Sequence, residues 1–196
     1  MSEIGIKDQC FGVEVEMTGI TRRQAADALA EYFGTTPQYL GTHYDTWGVT
    51  DPEGKVWKLM SDASIRPERK TTDAYTTTFP RSRESRDYQV EMVTPKLTYA
   101  ELPKLQECVR RVRKAGAKVN GSCGIHVHVD AANHNRQSLK NLIGIMYSKE
   151  DILFKALKVQ ERRANSYCQR VRPEVLEKIR KIPNKSITMD RVRNVW

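Results

Sequence analysis

The sequence predicts a single α+β domain, on three observations. Short segments of period-two hydrophobicity alternate with longer ones in which apolar residues recur every three or four positions. Two of the longer segments open on capping boxes, and the one clear hairpin turn carries Pro and Gly. The 196 residues suffice to bury one core, and they contain no low-complexity tract, no repeat and no apolar run long enough to cross a membrane.

Taken in order, "FGVEVEM" (Phe11–Met17) predicts a strand with Val13, Val15 and Met17 on one side and Glu14 and Glu16 on the other. "TRRQAADALAEYFG" predicts a helix: Thr21 and Gln24 form a capping box, Ala25, Leu29 and Phe33 a stripe, and Gly34 a stop. "DTWGV" and "KVWKLMSDASI" flank "TDPEG", so a hairpin is expected, with Asp62 and Ser64 on one face of its second strand. Residues 66–87 are polar, basic and without periodicity, and a loop or lid is expected there. "YQVEMVTP" reads as a strand ended by Pro95. Thr98 and Glu101 form a second capping box before a stripe of Leu102, Leu105, Val109 and Val112. After the strand in "NGSCGIHVHVD" (Asn120–Asp130), Ser138 is the expected cap of a long helix with the stripe Leu139, Leu142, Ile143, Met146, Leu153 and Leu157, and Pro173 starts a shorter one.

The N-terminus has no apolar segment of signal-peptide type, so a cytoplasmic location is expected. Cys10, Cys108, Cys123 and Cys168 lie far apart, which argues for reduced thiols over a zinc or redox pair. The net charge is +9, and residues 158–196 hold eleven Lys and Arg against four Asp and Glu. That basic, helical C-terminal segment suits a polyanion or an acidic substrate, although a charge run by itself is commonly a solvated face. Only Tyr167 and Trp196 lie beyond Lys158 as aromatics, too few for a stacking platform on nucleic acid.

Three strands place aliphatics on one side and Glu14, Glu16, Glu91, His126, His128 and Asp130 on the other. A merely solvated face in so basic a chain should carry cations, and these three strands carry none there. A divalent metal explains the choice. Glu14 and Glu16 stand roughly 6.6 Å apart along a strand, enough to hold different sides of an ion pair whose members sit ~3.5–4 Å apart. Clustered carboxylates without a cation raise one another's pKa, whereas a bound ion keeps them ionised. Oxygen-rich donors favour Mg2+, and an imidazole tilts the set towards Mn2+. His43 and His134 read as surface histidines.

"FGVEVEM", "SDASI", "VEMVTP" and "CGIHVHVD", in this order and at this spacing, resemble the amidoligase family of phages and bacteria. These are carboxylate–amine ligases related to glutamine synthetase and glutamate-cysteine ligase. Asn120, Gly121, Ser122, Gly124, His126 and His128 are similar to the N-G-S-x-G-x-H-x-H loop and strand of glutamine synthetase with one residue inserted, and "NSYCQR" to its N-S-Y-K-R segment. The resemblance implies a glutamine synthetase-like catalytic domain, with a curved, mainly antiparallel sheet and helices on its outer face. It also implies ATP-dependent amide formation through an acyl phosphate, with ATP and Mg2+ (or Mn2+) as cofactors. By motif position Glu14, Glu16, Glu91 and His126 would hold metal, with Glu14 and Glu91 in catalytic positions. Glu16, His128 and Arg163 would serve the nucleotide, and Arg162 and Arg170 the charge on carboxylate or phosphate. Asp62, Ser64, Asn120, Gly121 and Gly124 would meet substrate, and glycines in that loop let backbone approach it closely.

The substrates expected are small-molecule or peptide carboxylates and amines, with no membrane partner; nucleic acid is the alternative partner for the basic segment. The family continues into a T-x-E-x-R strand that "SITMDRVRN" matches poorly, so the expectation is either a C-terminally truncated domain or a member that lacks part of the nucleotide site. Two rival functions remain: a metal-dependent hydrolase or nuclease using His126, His128, Asp130 and the glutamates, and a catalytically inactive basic binding module.

Overall fold

A computed structural model describes residues 5–72, 74–80, 82–132, 134–183 and 188. The chain divides into two compact units, residues 1–130 and 131–196. Almost all of "SITMDRVRN" and the end of the basic segment lie outside the described residues.

The first unit is built on β1 (Cys10–Met17). There follow α1 (Arg22–Phe33), β2 (Gln38–Tyr39), β3 (Trp47–Thr50), β4 (Val56–Met60), β5 (Arg69–Lys70), β6 (Tyr75–Thr76), β7 (Val90–Val93), β8 (Leu97–Thr98), α2 (Leu102–Lys114) and β9 (Ile125–Val129). Seven strands form an antiparallel sheet in which β2, β3, β4, β7 and β1 are successive neighbours. β8 continues the β7 edge of β1, while β9 pairs its other edge. Between β7 and β8 the ladder is interrupted at Thr94, whose hydroxyl accepts the Val13 N–H at 2.9 Å.

One face of this sheet is the core. Val13, Met17, Val49, Trp57, Leu59, Val90, Met92 and Leu97 pack against Ala25, Ala26, Leu29, Ala30 and Phe33 of α1 and Leu105, Cys108 and Val112 of α2. Burying a large aliphatic or aromatic side chain contributes about 1.5–3 kcal/mol, so this layer fixes the strands that carry the opposite face. The expected capping boxes form: Thr21 with Gln24, and Thr98 with Glu101, although the second opens a 3-10 turn (Tyr99–Glu101) before α2. Gly34 ends α1 at φ 69°, a left-handed conformation that costs a glycine little.

The β3–β4 hairpin forms, but its second strand stops at Met60. Asp62 and Ser64 therefore lie in a turn, not on a strand face, because the Asp62 carboxylate captures the Ser64 N–H at 2.7 Å and competes with the ladder. Residues 66–87 are not featureless: they hold the β5–β6 hairpin and a 3-10 helix (Ser82–Tyr88). The hairpin is tied down by Glu68, which pairs with Lys118 at 2.9 Å and accepts from Asn120 at 2.8 Å.

The second unit contains α3 (Arg136–Ala156), α4 (Glu161–Ala164) and α5 (Pro173–Lys181). Pro173 occupies the first turn of α5, as expected. The cap of α3 is Asn135 instead of Ser138; Ser138 sits three positions later and closes the box from the other side. Ile143, Val171, Val175, Leu176 and Ile179 form this unit's core, and of the α3 stripe Ile143 is the buried member. No helix among the described residues is long and apolar enough to cross a membrane.

Asp51 organises the β3–β4 turn from a buried position. One oxygen accepts from the N–H groups of Glu53 and Lys55, the other from the Trp57 indole at 3.1 Å and the Lys104 ammonium at 3.2 Å. Burial opposes its charge, but these donors prevail and hold its carboxyl below the usual range. Asp51→Ala is expected to cost about 2–4 kcal/mol in urea unfolding, because it strands a buried indole N–H, frees two turn N–H groups and leaves Lys104 with Glu53 and Glu101 alone. The native contribution is present above pH 4 and falls away as pH drops through the lowered pKa.

Candidate metal centre

On the face opposite the core, the register lines up the predicted side chains. Glu14 of β1 lies opposite His126 of β9, Glu16 opposite Glu91 of β7, and Gly12 opposite His128. Neighbouring strands stand ~4.8 Å apart and alternate residues share a face, so these groups can only meet. The His126 Nδ1 lies 2.9 Å from Glu14 Oε2, and its Nε2 lies 3.7 Å from Glu16 Oε1. The His128 Nε2 lies 3.2 Å from Glu14 Oε1. Glu16 is the buried member, and the Gly124 N–H donates to its Oε2 at 2.6 Å.

Asp62 joins them from its turn. Two triplets result, Glu14–Glu91–His126 and Glu16–Asp62–Glu91, with the donor atoms of each within 4.8 Å of one another and Glu91 common to both. Among the described residues no Lys or Arg pairs with Glu14, Glu16 or Glu91. The donor set is five carboxylate positions and one imidazole, counting Glu91 in each triplet, which suits a hard divalent cation such as Mg2+ or Mn2+. Burial, and then repulsion from Glu14, Asp62 and Glu16, pushes the Glu91 carboxyl up to about 7, with His126 opposing.

Two hollows border the centre. One, of about 380 Å³, lies over Gly12, with Glu14, Thr94, Lys96, His128 and Asp130 around it. A Cβ at position 12 would meet nothing nearer than Thr94 Oγ1 at 3.9 Å, so the missing side chain is what opens it. The other, of about 630 Å³, borders Glu91 and Asp62 and is lined further by His43, Tyr44, Ser61, Arg86 and Gln89.

A family model described as "Putative amidoligase enzyme" matches residues 7–196. The chain belongs to this amidoligase family. No curated protein and no solved structure matches it. The match spans both units of the amidoligase chain, whereas the carboxylate–imidazole cluster is built wholly from the first.

The remaining expected residues of this amidoligase divide. Asn120 donates to the Arg66 carbonyl at 2.9 Å and its Oδ1 accepts from the Ser122 N–H at 2.9 Å, so it shapes the loop through Gly121 that presents Gly124 to Glu16. Asp130 pairs with Lys96 at 3.5 Å, beside the Gly12 hollow and apart from both ligand triplets. In the second unit Arg162 donates to Gln160, Arg163 lies over the Tyr167 ring, and Arg170 pairs with Asp151 at 2.9 Å. Sequence reasoning missed Asp62 as a potential ligand, Lys96 at the hollow, and His43 and Arg86 as pocket walls. The Asp-x-Ser spacing in "SDASI" hinted at the first, because an aspartate there readily accepts from the N–H two residues on and leaves the strand; nothing local marks the others.

Because the folded-state pKa of Glu91 exceeds the unfolded value, its contribution is complete below pH 4.5 and is lost as pH rises from there through about 7. The metal-free protein is expected to lose on the order of 1–3 kcal/mol over that window, and Glu91→Gln to flatten the slope. Chemical unfolding at a series of pH values checks both.

Proposed function

We propose that this chain is an ATP-dependent carboxylate–amine ligase with a glutamine synthetase-like catalytic fold, joining a carboxylate and an amine through an acyl phosphate. The observation that carries the reading is the pair of ligand triplets sharing Glu91, flanked by one hollow on the Glu14 side and another on the Asp62 side. A reaction that brings together a nucleotide and a second substrate at a charged centre needs that layout.

Glu14, Glu91 and His126 would hold one divalent ion, and Glu16, Asp62 and Glu91 a second. Such ions, when bound, would neutralise charge that develops on the transferring phosphoryl group. The hollow over Gly12 would seat the nucleotide, with Lys96 and His128 as donors to its phosphates. A substrate carboxylate oxygen attacks the γ-phosphorus and ADP leaves; the amine nitrogen then attacks the acyl carbon, phosphate leaves with the bonding electrons, and the nitrogen gives up a proton. The work of the protein is electrostatic positioning: Gly124 N–H and the histidines fix the glutamates before substrate arrives, so little reorganisation remains. The 3-10 helix of segment 66–87, at the second hollow, would exclude water from the acyl phosphate.

Mg-ATP is expected to raise the melting temperature by several degrees, and Glu14→Gln or Glu91→Gln to abolish the rise; an undiminished shift in both variants overturns the metal reading. Gly12→Leu is expected to fill the hollow, keep the fold, and weaken ATP binding at least tenfold by calorimetry. Formation of a hydroxamate and ADP from ATP, Mg2+, hydroxylamine and a panel of carboxylates tests ligation itself, since hydroxylamine traps an acyl phosphate without needing a specific amine site. Phosphate release from oligonucleotides without ATP would instead favour a nuclease.

A further inference from the structure

Of the four acidic side chains at the centre, Asp62 has the least support from the sheet. Glu14 and Glu16 ride on β1 and Glu91 on β7, whereas β4 ends at Met60 and Asp62 lies in the turn beyond it. Backbone outside a ladder keeps its place only where other groups take up its N–H and C=O. The two ends of this turn are pinned: the Ser61 N–H donates to the Tyr44 carbonyl at 2.9 Å, and the Ile65 side chain is buried. Its middle is gripped by one side chain. The Gln89 carboxamide donates through Nε2 to the Ile65 carbonyl at 2.8 Å and to the Ala63 carbonyl, next to Asp62, at 3.4 Å.

Gln89 is itself held firmly. Its N–H donates to the Arg86 carbonyl at 3.1 Å, and its carbonyl accepts from the buried Arg22 guanidinium at 3.2 Å. Two residues on stands Glu91, the member common to both ligand triplets. One anchored residue therefore ties the turn that carries Asp62 to the strand that carries Glu91.

The choice of donor fits that task. A glutamine places two N–H groups on one nitrogen without carrying charge. A lysine or arginine could hold the same two carbonyls, but it would bring a cation beside Asp62 and Glu91 and compete with a metal ion for their carboxylates. The amide fixes the turn and leaves that charge unspent.

We propose that Gln89 is a positioning residue for the second cation. By holding the Asp62 turn against the start of β7 it sets the Glu16–Asp62–Glu91 triplet, while Glu14–Glu91–His126, carried on paired strands, does not depend on it. The inference rests on the two-cation reading of the centre and adds that its two sites are held by different means.

Calorimetric titration of the full chain with Mn2+ tests this. The wild-type protein is expected to take up two ions. Gln89→Met keeps the side-chain length and removes both donors; it should weaken one ion about tenfold or more and leave the other within about twofold, the size of effect that groups orienting metal ligands have. Asp62→Ala and His126→Ala identify which ion is which. Gln89→Met combined with His126→Ala should hold neither ion at wild-type strength, whereas Gln89→Met combined with Asp62→Ala should hold the retained ion as tightly as Asp62→Ala alone. Gln89→Asn, one methylene short, should weaken the same ion in a protein that keeps its amide. Equal weakening of both ions, which a merely structural role would give, or an undiminished Asp62-side ion in either Gln89 variant overturns the assignment. A wild-type chain that takes up fewer than two ions sinks the two-cation reading and this inference with it. Two ions in the wild type and two undiminished in Gln89→Met sink the inference alone.

Discussion

Mutual repulsion among four acidic side chains is the constraint around which the first unit is arranged. Glu14, Glu16, Glu91 and Asp62 approach closely enough that burial and neighbouring charge hold Glu91 partly protonated near neutral pH. A chain with 33 Lys and Arg could have quenched that repulsion with a single ammonium, and among the described residues none is placed to do so. His126 opposes the rise at Glu91 only in part. On the proposed reading, an external cation would quench the repulsion.

Holding such a cluster open requires that the backbone not yield. β1 is paired on both edges, so Glu14 and Glu16 cannot move apart without breaking ladders to β7 or β9. Behind it the face that packs on α1 and α2 buries Val13, Met17, Val90 and Met92, and the cost of exposing those side chains opposes any relaxation of the charged face. Asp62 stands outside the sheet and is placed by its own turn, whose Ser64 N–H fixes the carboxylate. Site geometry and core stability are thus two sides of the same strands. Arg22 plays a matching part at the edge of the site, where one buried guanidinium joins a loop and a 3-10 helix that share no ladder.

Much of this was legible in the sequence because strand periodicity is local. Alternation alone put Glu14, Glu16, Glu91, His126 and His128 on their faces, and the capping boxes at Thr21 and Thr98 marked the helices whose stripes cover the other side. What alternation cannot report is which strands are neighbours, so the pairing of Glu14 with His126 and Glu16 with Glu91 had to come from the fold. Asp62 was read on a strand because "KVWKLMSDASI" continues to look extended; the capture of Ser64 N–H by its own carboxylate ends the ladder two residues early. Arg22 was invisible for a different reason. An arginine in the first turn of an amphipathic helix normally points to water, and only partners more than twenty residues away in sequence bury it. Between Ser138 and Asn135 the choice of cap was ambiguous, since each bonds the other in the finished box.

The claim that two cations share Glu91 is open to direct count. Titrating the protein with Mn2+ and following free and bound ion by electron paramagnetic resonance should give two ions per chain, magnetically coupled through their short separation, with Glu91→Gln losing the coupling and at least one ion. A chain that binds no Mn2+, or binds it identically with and without the Glu91 carboxylate, would contradict the account.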